Sequence, residues 1–222
     1  MQQNKVFIKE IFESIQGEGP YMGENQLFIR FSNCNLNCKY CDTDFKSDLK
    51  EYTKDDLIKE INKYKHIHSI SLTGGEPLIN ANFLKQVLPD IKQKIYLETN
   101  GTLSNELKKI IDYIDIIAMD IKIPSATGNT DLFDEHEEFI KTAIKKELFI
   151  KVVFNEKITD EETDKILKLA SKYNLPIILQ PESNGNKIKN DIKTINKVFY
   201  KIRNQYKNER LIPQLHKFLD AK

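Results

Sequence analysis

Gln26-Leu27-Phe28-Ile29-Arg30-Phe31-Ser32-Asn33-Cys34-Asn35-Leu36-Asn37-Cys38-Lys39-Tyr40-Cys41 joins two kinds of sequence. Its first half, 26–32, is an apolar run broken by one arginine, and it reads as a buried strand. Its second half holds all three cysteines of the chain, spaced C-x3-C-x2-C among Asn and Lys. A buried strand that ends directly in a thiol-rich loop places reactive sulfur at the edge of a sheet.

Outward from this stretch, short apolar runs predict strands near 5–12, 69–73, 94–98, 115–120, 148–154 and 176–180. Amphipathic patterns between them predict helices near 54–65, 81–91, 104–113, 131–146, 159–173 and 188–207. Thr53 with Asp56, and Thr159 with Glu162, give capping-box starts. Leu57, Ile58, Ile61 and Tyr64 form one apolar face, and Ile166, Leu167, Leu169 and Ala170 another. Strand, helix, strand at this pitch means right-handed crossovers and a parallel sheet in an α/β fold. Periodicity does not separate an open sheet from a curved partial barrel. In both, ligands gather at the carboxyl ends of the strands. No repeat, low-complexity tract or Gly/Ser linker interrupts residues 1–222, so a single domain is expected.

With 34 basic against 33 acidic residues, no global field favours nucleic acid or an anionic membrane, and neither partner is expected. No apolar run approaches the roughly 18 residues of a membrane span. The polar start lacks a signal-peptide core, so a cytoplasmic chain is expected. Only three of the basic residues are Arg. Arg30, in an apolar strand, is thus a candidate for planar recognition of an anion, with an internal Asp or Glu as the alternative partner.

Three thiols in a cytosolic chain do not close a disulfide framework. Three inert buried cysteines would need a core stripe around them, which Asn and Lys do not supply. A structural zinc site would need a fourth, remote ligand from His66, His68, His136 or His216. The remaining reading is a [4Fe–4S] cluster with three protein ligands and one open iron. Elsewhere, Thr73-Gly74-Gly75-Glu76-Pro77 follows a predicted strand with two glycines that permit close backbone approach. Glu76 would either accept from a ligand ammonium or cap the turn. Glu98-Thr99-Asn100-Gly101-Thr102, Asp120-Ile121-Lys122 and Gln180-Pro181-Glu182-Ser183 give three more strands polar ends. Any one alone reads as a solvated loop with a helix cap, while three at one sheet edge fit a ribose- and carboxylate-binding rim.

The cysteine window with the Gly-Gly-Glu-Pro segment about thirty residues later resembles the radical S-adenosylmethionine (SAM) superfamily. That resemblance implies a partial, trimmed (β/α) barrel with parallel strands. It also implies that SAM chelates the open iron and is cleaved to a 5′-deoxyadenosyl radical. Tyr40 then lies beside cluster and adenine, and Gly75, Glu76, Asp120, Ile121, Lys122, Gln180, Pro181, Glu182 and Ser183 contact SAM. Many relatives read Ser-Pro-Lys where this chain has Asp120-Ile121-Lys122.

Four further features narrow the likeness: Ser14-Ile15-Gln16-Gly17-Glu18-Gly19-Pro20, Arg30, Cys41-Asp42-Thr43, and Gln214-Leu215-His216-Lys217-Phe218-Leu219. Together, over residues 6 to 219, they resemble the 7-carboxy-7-deazaguanine synthases. These lyases contract 6-carboxytetrahydropterin with loss of ammonia on the route to 7-deazapurines such as queuosine. The resemblance implies that Ile15, Gln16 and Gly17 meet the pterin edge and that Arg30 pairs the substrate carboxylate. Thr73 would add a hydroxyl, His216 would close over the substrate, and Thr43 would hold Mg2+. It further implies a homodimer and an electron donor such as flavodoxin or ferredoxin. His66, His68 and His136 read as surface groups. Two rivals share part of the pattern: a radical SAM activase that installs a glycyl radical on a partner protein, and a zinc-binding or electron-transfer module without chemistry.

Overall fold

The computed structural model describes residues 4–41 and 47–219. Eleven strands and eight α-helices lie among them. The strands are β1 (Lys5–Ile15), β2 (Asn25–Phe31), β3 (Lys50–Thr53), β4 (Ser69–Gly74), β5 (Ile95–Thr99), β6 (Ile116–Asp120), β7 (Glu147–Phe154), β8 (Ile177–Pro181), β9 (Ser183–Asn184), β10 (Lys187–Ile188) and β11 (Glu209–Leu211). The helices are α1 (Lys54–Ile61), α2 (Ala81–Val87), α3 (Ser104–Leu107), α4 (Pro124–Thr127), α5 (Phe133–Ala143), α6 (Asp160–Tyr173), α7 (Ile192–Arg203) and α8 (Leu215–Leu219).

Nine strands form one sheet in the order β11-β8-β7-β6-β5-β4-β2-β1-β3. From β2 through β11 every neighbouring pair is parallel, and the order never reverses. Right-handed crossovers repeated in one direction put the crossover helices on the same face, as in a (β/α) barrel and unlike a doubly wound sheet. The packing agrees. Leu57, Phe83, Leu107, Phe139, Ile166 and Ile195 from six helices share one core with Ile29, Leu72, Leu97, Ile117, Ile150 and Leu179 from the strands. Strand residues of the opposite parity, Tyr96, Ile116, Ala118, Phe149 and Ile178, form a separate, small cluster on the other face. The α/β partial barrel with parallel strands is therefore present, and no described helix is long and apolar enough to cross a membrane.

The expectation of a wholly parallel sheet needs one correction. β1 runs antiparallel to β2 and β3. The connector 16–24 is shorter than the dozen or more residues that a parallel crossover requires. Both capping boxes form, Thr53 with Asp56 and Thr159 with Glu162. Two predicted helices are cut short. The run 81–91 becomes α2 followed by a 3-10 turn at Leu88–Asp90, where Pro89 lacks a donor. The run 104–113 becomes α3 and a 3-10 turn at Ile111–Tyr113. α7 starts at Ile192 rather than 188, because the β9–β10 hairpin occupies the preceding residues.

Candidate active site

The sheet parity that faces away from the helices becomes polar toward the carboxyl ends of the strands. On it lie Arg30 of β2, Thr73 of β4, Glu98 of β5, Asp120 of β6, Lys151 of β7 and Gln180 of β8. All six line one cavity of about 540 Å³, within the range of small-molecule sites. The loop carrying Cys34, Cys38 and Cys41 closes one side of it, and Gln214, His216 and Lys217 close another.

The cysteine loop is anchored at its root by the two glycines. Gly75 N donates to Phe31 O (3.1 Å), and Glu76 N donates to Asn33 O (2.9 Å). A Cβ on Gly75 would sit 1.8 Å from Asn33 O, and one on Gly74, at φ +122°, would sit 2.3 Å from Phe31 O. The close approach these glycines permit is thus first to the chain's own backbone, although Gly75 also lines the cavity.

The thiols meet the cavity and accept hydrogen bonds. Leu36 N lies 3.5 Å from Cys34 Sγ, Asn100 Nδ2 lies 3.9 Å from it, and Asn129 Nδ2 lies 3.2 Å from Cys38 Sγ. Burial pushes both thiols up, and nearby Lys122 works against that shift. Three soft sulfur donors on one loop, supplied with N–H groups, suit an iron–sulfur cluster.

Beside them, Lys122 Nζ donates to Tyr40 Oη and to Asp120 Oδ2, both at 2.9 Å, and lies 5.1 Å from the centre of the Tyr40 ring. Lys151 pairs with Glu18 and reaches Asp120 Oδ2 at 3.4 Å. Burial alone would raise the Glu18 carboxyl. Lys151, with donation from Gln214, outweighs it and holds Glu18 at about 2. Glu18 Oε1 also accepts from Gln180 Nε2 (3.1 Å) and Gln214 Nε2 (2.7 Å). Asp120 Oδ1 and Gln180 Oε1 are buried with no hydrogen-bond partner among the described residues. Two buried, unpartnered acceptors on residues that line the cavity suit a ligand rich in N–H and O–H donors.

A model of the radical SAM superfamily matches residues 28–195. The 7-carboxy-7-deazaguanine synthase of Geobacter sulfurreducens is 36% identical, over 96% of this chain and 96% of its own. The chain belongs to the radical SAM superfamily and, within it, to the 7-carboxy-7-deazaguanine synthase family. The Archaeoglobus fulgidus synthase is 32% identical, over 96% of this chain and 97% of its own. A crystal structure of QueE from Escherichia coli shares the fold, with TM-score 0.65 and 19% identity over 96% of this chain and 95% of that one. Membership brings a [4Fe–4S] cluster and SAM as cofactors, and Cys34, Cys38 and Cys41 are the residues fit to hold the cluster.

The family frame shows which expected residues the cavity gathers. Tyr40, Gly75, Asp120, Lys122, Gln180, Glu182 and Ser183 line it, as do Ile15, Gln16, Gly17, Arg30, Thr73 and His216. Glu76, Ile121 and Pro181 do not. Ile121 is buried in the core, and Pro181 completes β8. Glu76 is buried and accepts from Leu78 N (3.1 Å), Thr99 Oγ1 (2.9 Å) and Asn100 N (2.8 Å). It caps and joins two loops, and burial raises its carboxyl to about 7. Thr43 lies outside the described residues.

Three assignments change character. The Gln16 side chain is engaged within the chain: Nε2 donates to Gln26 Oε1 and Glu98 Oε1 (both 2.9 Å), and Oε1 accepts from Glu18 N (3.0 Å). Arg30 Nε donates to Glu10 Oε1 (2.9 Å), with the guanidinium 5.6 Å from the Phe12 ring centre, so the internal carboxylate partner exists. Gly17 gives room for His216, whose Nδ1 would lie 2.2 Å from a Cβ there. Leu215 N donates to Gly17 O (2.9 Å), so the tail is docked onto the site.

His136 is not a surface group. It is fully buried, at the inward position of α5 with Phe139, Ile140 and Ala143, while its acidic neighbours lie outside the core. Nε2 accepts from Lys122 N (3.1 Å) and Nδ1 lies 3.2 Å from Gly101 O, which joins the loops after β5 and β6. Burial lowers its pKa to about 4. A folded-state value below the free 6.5 means stability present above pH 6.5 and lost as pH falls toward about 4. In urea melts against His136→Phe, the wild-type advantage is expected to shrink by ~3 kcal/mol over that window. A pH-independent difference would show that His136 is not held neutral.

Sequence reading passed over Glu18, Glu98 and Lys151 as individual site residues. Glu98 accepts from Gln16, Ser71 (3.4 Å) and Thr73 (2.7 Å). The signal was available for Lys151, a single charge inside the apolar run Leu148–Phe154, on the logic that singled out Arg30.

Proposed function

We propose that this chain converts 6-carboxy-5,6,7,8-tetrahydropterin to 7-carboxy-7-deazaguanine with loss of ammonia. The observation that carries the reading is one cavity that joins three thiols of a cluster loop to the polar ends of six strands, in a chain of this family. When bound, the cluster and SAM supply a 5′-deoxyadenosyl radical that abstracts hydrogen from the substrate.

The chain's own part is placement and exclusion of water. Asp120 Oδ1 and Gln180 Oε1 offer acceptors to the ammonium and ribose hydroxyls of SAM, beside Gly75, Tyr40, Lys122, Glu182 and Ser183. Glu98, held by Gln16 and Thr73, offers a carboxylate to the N–H edge of the pterin. Ile15 and Gly17 give a low wall for a flat ring, and His216 covers it from the tail. The terminal nitrogens of Arg30 take the substrate carboxylate while Glu10 fixes Nε. Thr43 and Mg2+, a homodimer, a flavodoxin- or ferredoxin-type donor and a single-domain cytoplasmic chain complete the proposal by family likeness.

The test is anaerobic incubation with the tetrahydropterin, SAM, Mg2+ and a reductant, followed by mass analysis. The expected result is deazapurine and ammonia with SAM regenerated. SAM cleavage without deazapurine would reject the substrate. Arg30→Lys should retain SAM cleavage and raise KM for the pterin about tenfold or more, the worth of a charged hydrogen bond. An unchanged KM would remove Arg30 from the carboxylate site.

A further inference from the structure

We propose that the side-chain amide of Asn129 tunes the reduction potential of the cluster by donating an N–H to the sulfur of Cys38. This rests on the function proposed above, because it takes Cys38 as a cluster ligand.

Of the hydrogen bonds that reach the cysteine sulfurs among the described residues, Asn129 Nδ2 to Cys38 Sγ is the shortest, at 3.2 Å. The backbone that carries this amide is held before any cluster chemistry begins. Asn129 N donates to Thr127 Oγ1 (3.1 Å), and Thr127 Oγ1 donates to Ile123 O (2.9 Å). Gly128, at φ +75°, reverses the chain after α4, and its N donates to Pro124 O (2.8 Å). A Cβ at Gly128 would meet the Lys39 stem at 2.5 Å, so its absence lets the turn lie against the cysteine loop. Lys39 N donates to Thr127 O (2.9 Å) and fastens the two together. Asn129 is not among the residues that line the cavity, whereas Cys38 is.

Reduction adds one electron, and therefore one negative charge, to the cluster and its thiolates. An N–H aimed at a thiolate stabilises the more negative state more strongly, and it does so more in a partly buried setting than in water. The bond raises the potential and makes the electron easier to accept.

The test compares wild type with Asn129→Leu and Thr127→Val after anaerobic reconstitution. Iron is counted first, and the midpoint potential is then read by EPR-monitored redox titration without SAM. At a fixed poise, Asn129→Leu is expected to shift the oxidised-to-reduced ratio about tenfold toward oxidised, which for one electron is about 59 mV. Thr127→Val, which keeps the amide but removes the prop of its backbone, should shift less in the same direction. SAM affinity for the oxidised cluster should be unchanged in both, an outcome that a general loosening of the site would not give. Iron-loaded variants that titrate with wild type would overturn the proposal. If Asn129→Leu takes up no iron, Thr127→Val decides by the same criterion. A wild-type chain that takes up no iron is a different result, since it removes the function reading together with this inference.

Discussion

Cys38→Ala is expected to yield a folded chain that holds no intact cluster and shows no turnover. None of the three cysteines belongs to the hydrophobic core: Cys34 and Cys38 are half-buried and Cys41 is exposed. Loss of one half-buried sulfur therefore costs about 1 kcal/mol or less in the apo chain. For the cofactor the loss is decisive, because two thiols cannot hold three irons of a cube. Iron analysis, a thermal melt and the product assay together check this. Full iron loading or retained turnover in the variant would show that Cys38 is not a ligand.

The second large effect is expected from Gly75→Ala. The new Cβ would meet Asn33 O at 1.8 Å, Asn33 C at 2.4 Å and Cys34 N at 3.0 Å, all backbone atoms that cannot rotate away. Relief requires separating the end of β4 from the root of the cysteine loop, with loss of the bonds from Gly75 N and Glu76 N. Overpacking and two lost hydrogen bonds together cost ~3 kcal/mol, or roughly 10 °C in Tm for a chain of this size. SAM affinity should fall with it, since Cys34 and Gly75 both line the cavity. Gly185→Asn is the control. That position has φ +54° and nothing within 4 Å of an added Cβ, and Asn tolerates that backbone, so Tm should barely move. Equal melts for the two variants would contradict the clamp.

The long parallel strands were legible because burial on both faces leaves continuous apolar runs such as residues 116–119 and 177–179. β3 and β11 were not, since a strand as short as Glu209–Leu211 carries no period and forms only by pairing with β8. The antiparallel setting of β1 is a property of connector length and pairing, which hydropathy does not encode. At the site, the cysteine window and the two glycines could be read because their chemistry is local. Glu98 and Lys151 become neighbours of the same cavity only through strand register and parity, and Gln214 only because the tail docks on Gly17. His136 sits in an acidic stretch that reads as solvated, and only the helix phase turns it inward. Arg30 lines the cavity, and Glu10, which pairs with it across β1 and β2, was invisible without the register.

The most direct measurement is the EPR spectrum of the anaerobically reconstituted, reduced chain before and after addition of SAM. About four irons per chain and a spectrum that SAM changes are expected, because three thiols leave one iron open to the ligand. Bound zinc in place of iron, or a cluster signal indifferent to SAM because a fourth side chain occupies that iron, would contradict the central claim.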